Sequence, residues 1–185
     1  MEKETIARIE QKMKKAVEHL RQELASVRTG KATTALLDSV KVDYYGSNVP
    51  LNQVAGVSAP EPRLLIVHPW ERTMVPAIEK AILKADLGLN PANDGTVIRI
   101  PIPPLTEERR KDLVKIVKKM VEEGRVGVRN LRREGNEEIK KLEKDAKISE
   151  DTARKSQNDV QKLTDKYIQL MEELLSKKEA EIMEV

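Results

Sequence analysis

Cysteine and phenylalanine are absent from the 185 residues, and one tryptophan and three tyrosines supply all the aromatic content. Without cysteine there is no disulfide, no thiolate metal site and no cysteine nucleophile. With so few aromatics, Leu, Ile and Val alternating with Glu and Lys point to long helices rather than a β-sandwich. No window approaches 18 consecutive apolar residues, so no membrane-spanning helix is expected. The start, Met1-Glu2-Lys3-Glu4-Thr5, is charged where a signal peptide needs an apolar core. These absences lead us to expect a soluble, cytoplasmic protein. Charged residues make up 35% of the chain, yet the formal net charge is only +3. Any nucleic-acid partner must therefore be argued from where the charges sit.

Proline is missing from both ends. All nine prolines lie between Pro50 and Pro104. Of the 34 basic and 31 acidic residues, only 14 fall within residues 30–104. This composition boundary predicts two domains: a discontinuous helical one over 1–29 and 105–185, and an inserted one over 30–104.

The helical part carries three apolar stripes at steps of three and four. Ile6, Ile9, Met13, Ala16, Leu20, Leu24 and Val27 form the first, with Gly30 as its expected stop. The second follows Pro103-Pro104, with Thr106 as a plausible N-cap and Glu107 and Glu108 in its first turn. Its stripe runs Leu113, Val117, Met120, Gly124, Val128, Leu131, Gly135, Ile139 and Leu142. The third starts near Ser149 and continues through Val160, Leu163, Tyr167, Leu170 and Leu174 toward Ile182. Each stripe alone leaves an apolar face in water, so a three-helix bundle is expected. Gly124 and Gly135 on the buried stripe predict close helix approach, which would offset about 1 kcal/mol each against alanine. The insert shows strand-like runs at 39–45, 63–70 and 96–102, separated by turns at 46–48, 60–62 and 93–95. A single amphipathic helix is expected from about Arg72 to Ala85. The fold class is therefore α+β: a long three-helix bundle with an inserted small β/α/β domain.

The stretch EEGRVGVRNLRREGN, residues 122–136, places Arg125, Arg129, Arg132 and Arg133 within nine positions. At roughly 100° per residue, with Arg125 at zero, Arg129, Arg132 and Arg133 fall near +40°, −20° and +80°. Lys111, Lys118 and Lys140 fall in the same sector, about 120° from the apolar stripe. On charge alone this face could equally be solvated. Glu122 can satisfy Arg125 or Arg129, and Glu137 can satisfy Arg133, which leaves arginines over. Guanidinium forks match phosphate oxygens, so the face points to an RNA or DNA backbone held through phosphates. Nothing nominates an enzyme, a cofactor or a metal site. No glycine-rich phosphate loop follows a strand, and His19 and His68 lie in different segments. His68, before Pro69-Trp70, reads as a structural residue ending a strand.

The blocks VRTGKA (27–32), VDYYG (42–46), PLNQVA (50–55), DLGLNP (86–91), IPPLTEERRKDLVK (102–115), EEGRVGVRNLRRE (122–134) and QKLTDKYI (161–168) together resemble ribosome recycling factor. The resemblance covers essentially the whole chain in the family's order. It implies an L-shaped pair of domains, binding to the post-termination ribosome, and subunit splitting with elongation factor G and GTP. It also implies a monomer with no enzymatic activity and no cofactor of its own. The family's contacts with large-subunit ribosomal RNA map onto Arg28, Arg129 and Arg132. Arg125, Arg133 and Lys118 join them from face geometry alone. The inserted domain is implied as the part elongation factor G pushes. A hinge is expected at Thr29, Gly30 and Lys31 on one connection and Pro103, Pro104 and Leu105 on the other, glycine permitting rotation and proline limiting it. The competing readings are a basic helical RNA-binding adaptor without splitting activity, and a helical interaction protein whose arginines are solvated.

Overall fold

A computed structural model describes residues 1–184. The chain divides into two compact units, Met1–Arg28 with the chain from Glu107 onward, and Thr29–Thr106.

The first unit is a bundle of α1 (Glu2–Ala25), α3 (Glu107–Lys144) and α4 (Glu150–Met183), each packed against the other two. Gly135 faces Ile9 and Val160, while Gly124 faces Leu20 and Met171. Sequence numbers therefore rise together in α1 and α4 and fall in α3: α1 and α4 are parallel, and α3 is antiparallel to both. At about 1.5 Å per residue, α3 is roughly 57 Å long.

The buried seam departs from the expected stripe by one residue in several places. Val17 and Val121 are buried, whereas Ala16 and Met120 are only half-buried. In α4 the seam runs Ala153, Ser156, Val160, Thr164, Tyr167, Met171, Lys178 and Ile182. Leu163, Leu170 and Leu174 flank it, half-buried. The reason is geometric: a helix in a three-helix bundle buries the residues pointing between two neighbours. Thr164 tolerates that position because its hydroxyl donates to the Val160 carbonyl at 2.8 Å. Lys178 keeps an ion pair with Glu181 at 3.5 Å.

The first helix does not run to Gly30. It ends at Ala25, where the Ser26 hydroxyl donates to the Glu23 carbonyl at 2.6 Å and the Ser26 N–H is shared between Gln22 and Glu23. Between α3 and α4, Ala146 takes φ +55°, with Lys147 N–H bonded to Leu142 and Ala146 N–H to Glu143. That is the Schellman pattern, adopted here without glycine. Ser149 caps α4, its hydroxyl accepting from Thr152 N–H at 3.1 Å, with Glu150 and Asp151 in the first turn. At the bundle surface Arg8 pairs with Glu138, and Lys12 with Glu134. Tyr167 donates to Glu10 at 3.0 Å. Burial pushes the Tyr167 phenol up to about 12, reinforced by that carboxylate.

The second unit holds six strands and one helix. β1 (Lys41–Tyr44) and β2 (Ser47–Pro50) form a hairpin. Its two turn residues, Tyr45 and Gly46, both have positive φ, the I′ geometry that matches strand twist. The expected turn at 46–48 is thus mostly strand. β3 (Ala55–Glu61), β4 (Leu64–Pro69), β5 (Ala92–Asn93) and β6 (Ile98–Pro101) form an antiparallel sheet in the order β3-β4-β6-β5. β3 includes Pro60 because it is an edge strand, and its register shifts between Ser58 and Glu61. α2 (Val75–Lys84) follows a short 3₁₀ turn at Arg72–Met74. It buries Val75, Ile78 and Ile82 in a core with Val42, Leu51, Leu65, Val67, Ile98 and Ile100. The tight turn into β6 is held by the Asp94 carboxylate, which accepts N–H groups of Thr96 and Val97 at 2.9 Å each. Those bonds, the Val97 one foremost, hold its pKa below the ordinary carboxylate value.

Candidate nucleic-acid interface

The four clustered arginines stand on one unbroken helix, α3, and their surroundings differ. Arg125 donates to Glu122 at 2.8 Å, and Arg129 reaches the other oxygen of the same carboxylate at 3.5 Å. One negative charge thus serves two guanidinium groups, leaving a net positive charge. Arg125 is the more buried of the pair, 21% exposed against 44%, and its Nε has no hydrogen-bond partner among the described residues. Arg133 is exposed and makes no hydrogen bond or ion pair among the described residues. The expected Arg133–Glu137 pair is therefore not formed.

Arg132 is half-buried, which the single-helix angle does not anticipate. It lies on the flank of α3 that meets α4, where its Nη1 donates to Gln161 Oε1 at 3.3 Å. Gln161 in turn donates from Nε2 to Asp165 Oδ1 at 2.9 Å. Lys118 lies on the same flank, its ammonium 3.8 Å from Glu179 Oε1. Arg28 is exposed, three residues beyond α1. Because α1 and α3 are antiparallel, Arg28 falls toward the N-terminal end of α3, nearer Lys118 than Arg132. The opposite flank of α3 is occupied by the ion pairs of Glu134 and Glu138 with α1, so the basic character belongs to the α4 side and the outward face.

Chemically, this is a linear array of forked donors on a rigid rod. Its geometry suits a phosphodiester chain more than a small ligand. Among the described residues no three His, Asp or Glu side chains are grouped to hold a metal ion. No helix there is long and apolar enough to cross a membrane.

The family model described as ribosome recycling factor matches residues 20–183. The chain belongs to the ribosome recycling factor family. Family membership places it in protein biosynthesis, in ribosome recycling, among translation factors that are not enzymes. It is 58% identical over 185 residues to the ribosome-recycling factor of Symbiobacterium thermophilum, with all of both chains covered. It is 53% identical, again over the whole of both, to that of Syntrophomonas wolfei. Among solved structures, a solution structure of ribosome recycling factor matches with TM-score 0.76 and 48% identity, covering 100% of this chain and 98% of that one. A second match, at TM-score 0.64 and 50% identity over all of both chains, is the Thermus thermophilus factor. It belongs to models of that factor and of Escherichia coli elongation factor G bound to the E. coli post-termination complex.

Gln161 and Asp165 had no place in the sequence-based site. Both lie within the block QKLTDKYI, but nothing in the sequence ties them to the arginines, and their i,i+4 spacing on α4 is common and unspecific. Among the residues expected to act as a hinge, Thr29 is buried and Pro103 and Pro104 are exposed. Gly30 has φ +79°, and a Cβ built on it would lie 3.0 Å from Leu105 Cγ.

Proposed function

We propose that the protein binds the post-termination ribosome through large-subunit ribosomal RNA. With elongation factor G and GTP it then promotes splitting into subunits. The observation that carries this reading is the match, over all of both chains, to a factor placed with elongation factor G on the post-termination complex. The α3 face supports it, because Arg129, Arg132 and Arg133 present forked donors that the protein itself leaves incompletely neutralised. Arg28, Arg129 and Arg132 contact phosphates, with Arg125, Arg133 and Lys118 adding to the field around them. The protein acts as a cytoplasmic monomer and needs no cofactor, since the GTP belongs to its partner.

Thr29, Gly30 and Lys31, with Pro103, Pro104 and Leu105, form the hinge on which elongation factor G moves the inserted unit. Only two chain crossings join the units, at 28/29 and 106/107. The positive φ at Gly30 gives one of them a conformational range that proline denies the other.

Light scattering of post-termination ribosomes mixed with the protein, elongation factor G and GTP tests the reading. The expected result is a scattering drop that needs every component and that Arg132→Ala loses. Ribosome binding with no scattering drop, using elongation factor G from the same source, would overturn the splitting role and leave an RNA-binding adaptor.

A further inference from the structure

Arg132 is held differently from the other arginines on its face. Arg125 and Arg129 share a carboxylate, which cancels part of their charge. Arg132 meets a neutral acceptor, the amide oxygen of Gln161. An amide could present either its oxygen or its NH₂ to a neighbour. Here the choice is fixed, because Asp165 accepts a hydrogen bond from Gln161 Nε2 at 2.9 Å. An ionised carboxylate can only accept, so it commands the NH₂ end and turns the oxygen toward the guanidinium. The outcome is an arginine with one donor tied down, its other donors available and its full charge kept. Two carboxylates would have oriented it at the expense of that charge.

We propose that Gln161 and Asp165 are positioning residues for Arg132. They set the direction of its guanidinium toward a phosphate of the bound RNA without neutralising it. This rests on the proposed contact between Arg132 and ribosomal RNA. It assigns the contact's geometry to two α4 residues. A long arginine free to rotate loses more rotamer entropy on binding than one already held at one nitrogen. The value of the relay is therefore pre-organisation, and it is felt only when RNA binds.

The test is a double-mutant cycle on binding to purified large ribosomal subunits, measured across a monovalent salt series at fixed magnesium. Gln161→Glu brings a carboxylate to Arg132, and repulsion from Asp165 one turn away directs it there. It should weaken binding about three- to tenfold and reduce the log–log salt slope by roughly one, the loss of one phosphate contact. Gln161→Met removes the acceptor at unchanged charge and similar length. It should weaken binding about two- to threefold with thermal stability unchanged. Both effects should disappear when Arg132 is already alanine.

If Gln161→Glu costs as much in the Arg132→Ala background, it acts only as an added negative charge and the positioning role is wrong. If Arg132→Ala weakens binding but neither Gln161 variant does, the positioning role falls and the RNA contact stands. If Arg132→Ala itself binds normally, the contact is refuted and the positioning role with it.

Discussion

Replacing Gly127, Gly124 and Gly135 with alanine, one at a time, adds the same methyl group to the same helix in three environments. In a helix interior the exchange is worth about 0.8–1.0 kcal/mol in favour of alanine, because glycine gives up more backbone freedom. At Gly127 a new Cβ would meet nothing within 4 Å. The whole gain is kept, and Gly127→Ala should stabilise the bundle by about 1 kcal/mol, or roughly 2–4 °C in Tm for a chain of this size. At Gly124 the new atom would lie 3.2 Å from Met171 Sδ and 3.4 Å from Leu20 Cδ2. Ordinary carbon contacts start near 3.5 Å, but a thioether end moves easily. Gain and crowding should then cancel to within about 0.5 kcal/mol. At Gly135 the neighbour is Ile9 Cγ1 at 3.2 Å, with both methyls of Val160 at 3.6 Å. Both residues are fully buried and β-branched, so neither can swing aside. Overpacking costs about 1–3 kcal/mol, and Gly135→Ala should be net destabilising by about 1 kcal/mol. Calorimetry on the three variants checks the order. If Gly135→Ala proves as stabilising as Gly127→Ala, the close-approach reading of the bundle glycines is refuted.

Spectrophotometric titration of the three tyrosines should find one ionising near about 12, the Tyr167 phenol. A folded pKa raised above the unfolded 10.0 means its stabilising contribution is complete below pH 10 and is lost as pH rises toward 12. Tyr167→Phe should flatten that alkaline decline. Ser149→Ala should cost the bundle about 1 kcal/mol by removing the cap on α4, which urea titration followed by circular dichroism will read. Gly30→Ala combines a left-handed φ with a short approach to Leu105, so it should destabilise the inserted unit by about 1–2 kcal/mol. Leu105→Ala in the same chain should return part of that loss. Gly30→Pro, which cannot take φ +79° at all, should keep ribosome binding but slow splitting; unchanged splitting rates would remove Gly30 from the hinge.

Helix number and the apolar stripes were legible because a 3.6-residue period accumulates over a 38-residue element such as α3. The one-residue offsets were not, since periodicity sees one helix while burial depends on two neighbours. Thr164 and Lys178 are polar letters in buried positions, and only the backbone carbonyl and Glu181 that serve them explain their place. β4 and β6, dense in Ile, Leu and Val, stood out in the sequence. β2 and β3 did not, because Ser-Asn-Val-Pro and Ala-Gly-Val-Ser-Ala-Pro-Glu lack alternation and owe their state to their partners. The arginine face shows the same division. Its existence follows from spacing along α3, whereas the half-burial of Arg132 and its link to Gln161 come from α4, 29 residues away in sequence.

The interruption of the bundle between α1 and α3 also orders events while the chain is being made. α1 is synthesised before α3 and α4, yet those helices pack against its buried Ile9 and Leu20. At about 5–20 residues per second, the roughly 160 residues from the end of α1 to the end of α4 take about 8–30 s. Until α4 is complete, the apolar seam of α1 lacks at least part of its native cover. The insert, whose core is drawn from Leu37 to Ile102, completes its own set of contacts in the meantime. α3 and α4 are joined by a five-residue turn, and α1 packs against both, so its cover is complete only once α4 has been made. A nascent chain arrested before α4 therefore leaves part of the α1 seam open to any apolar surface nearby.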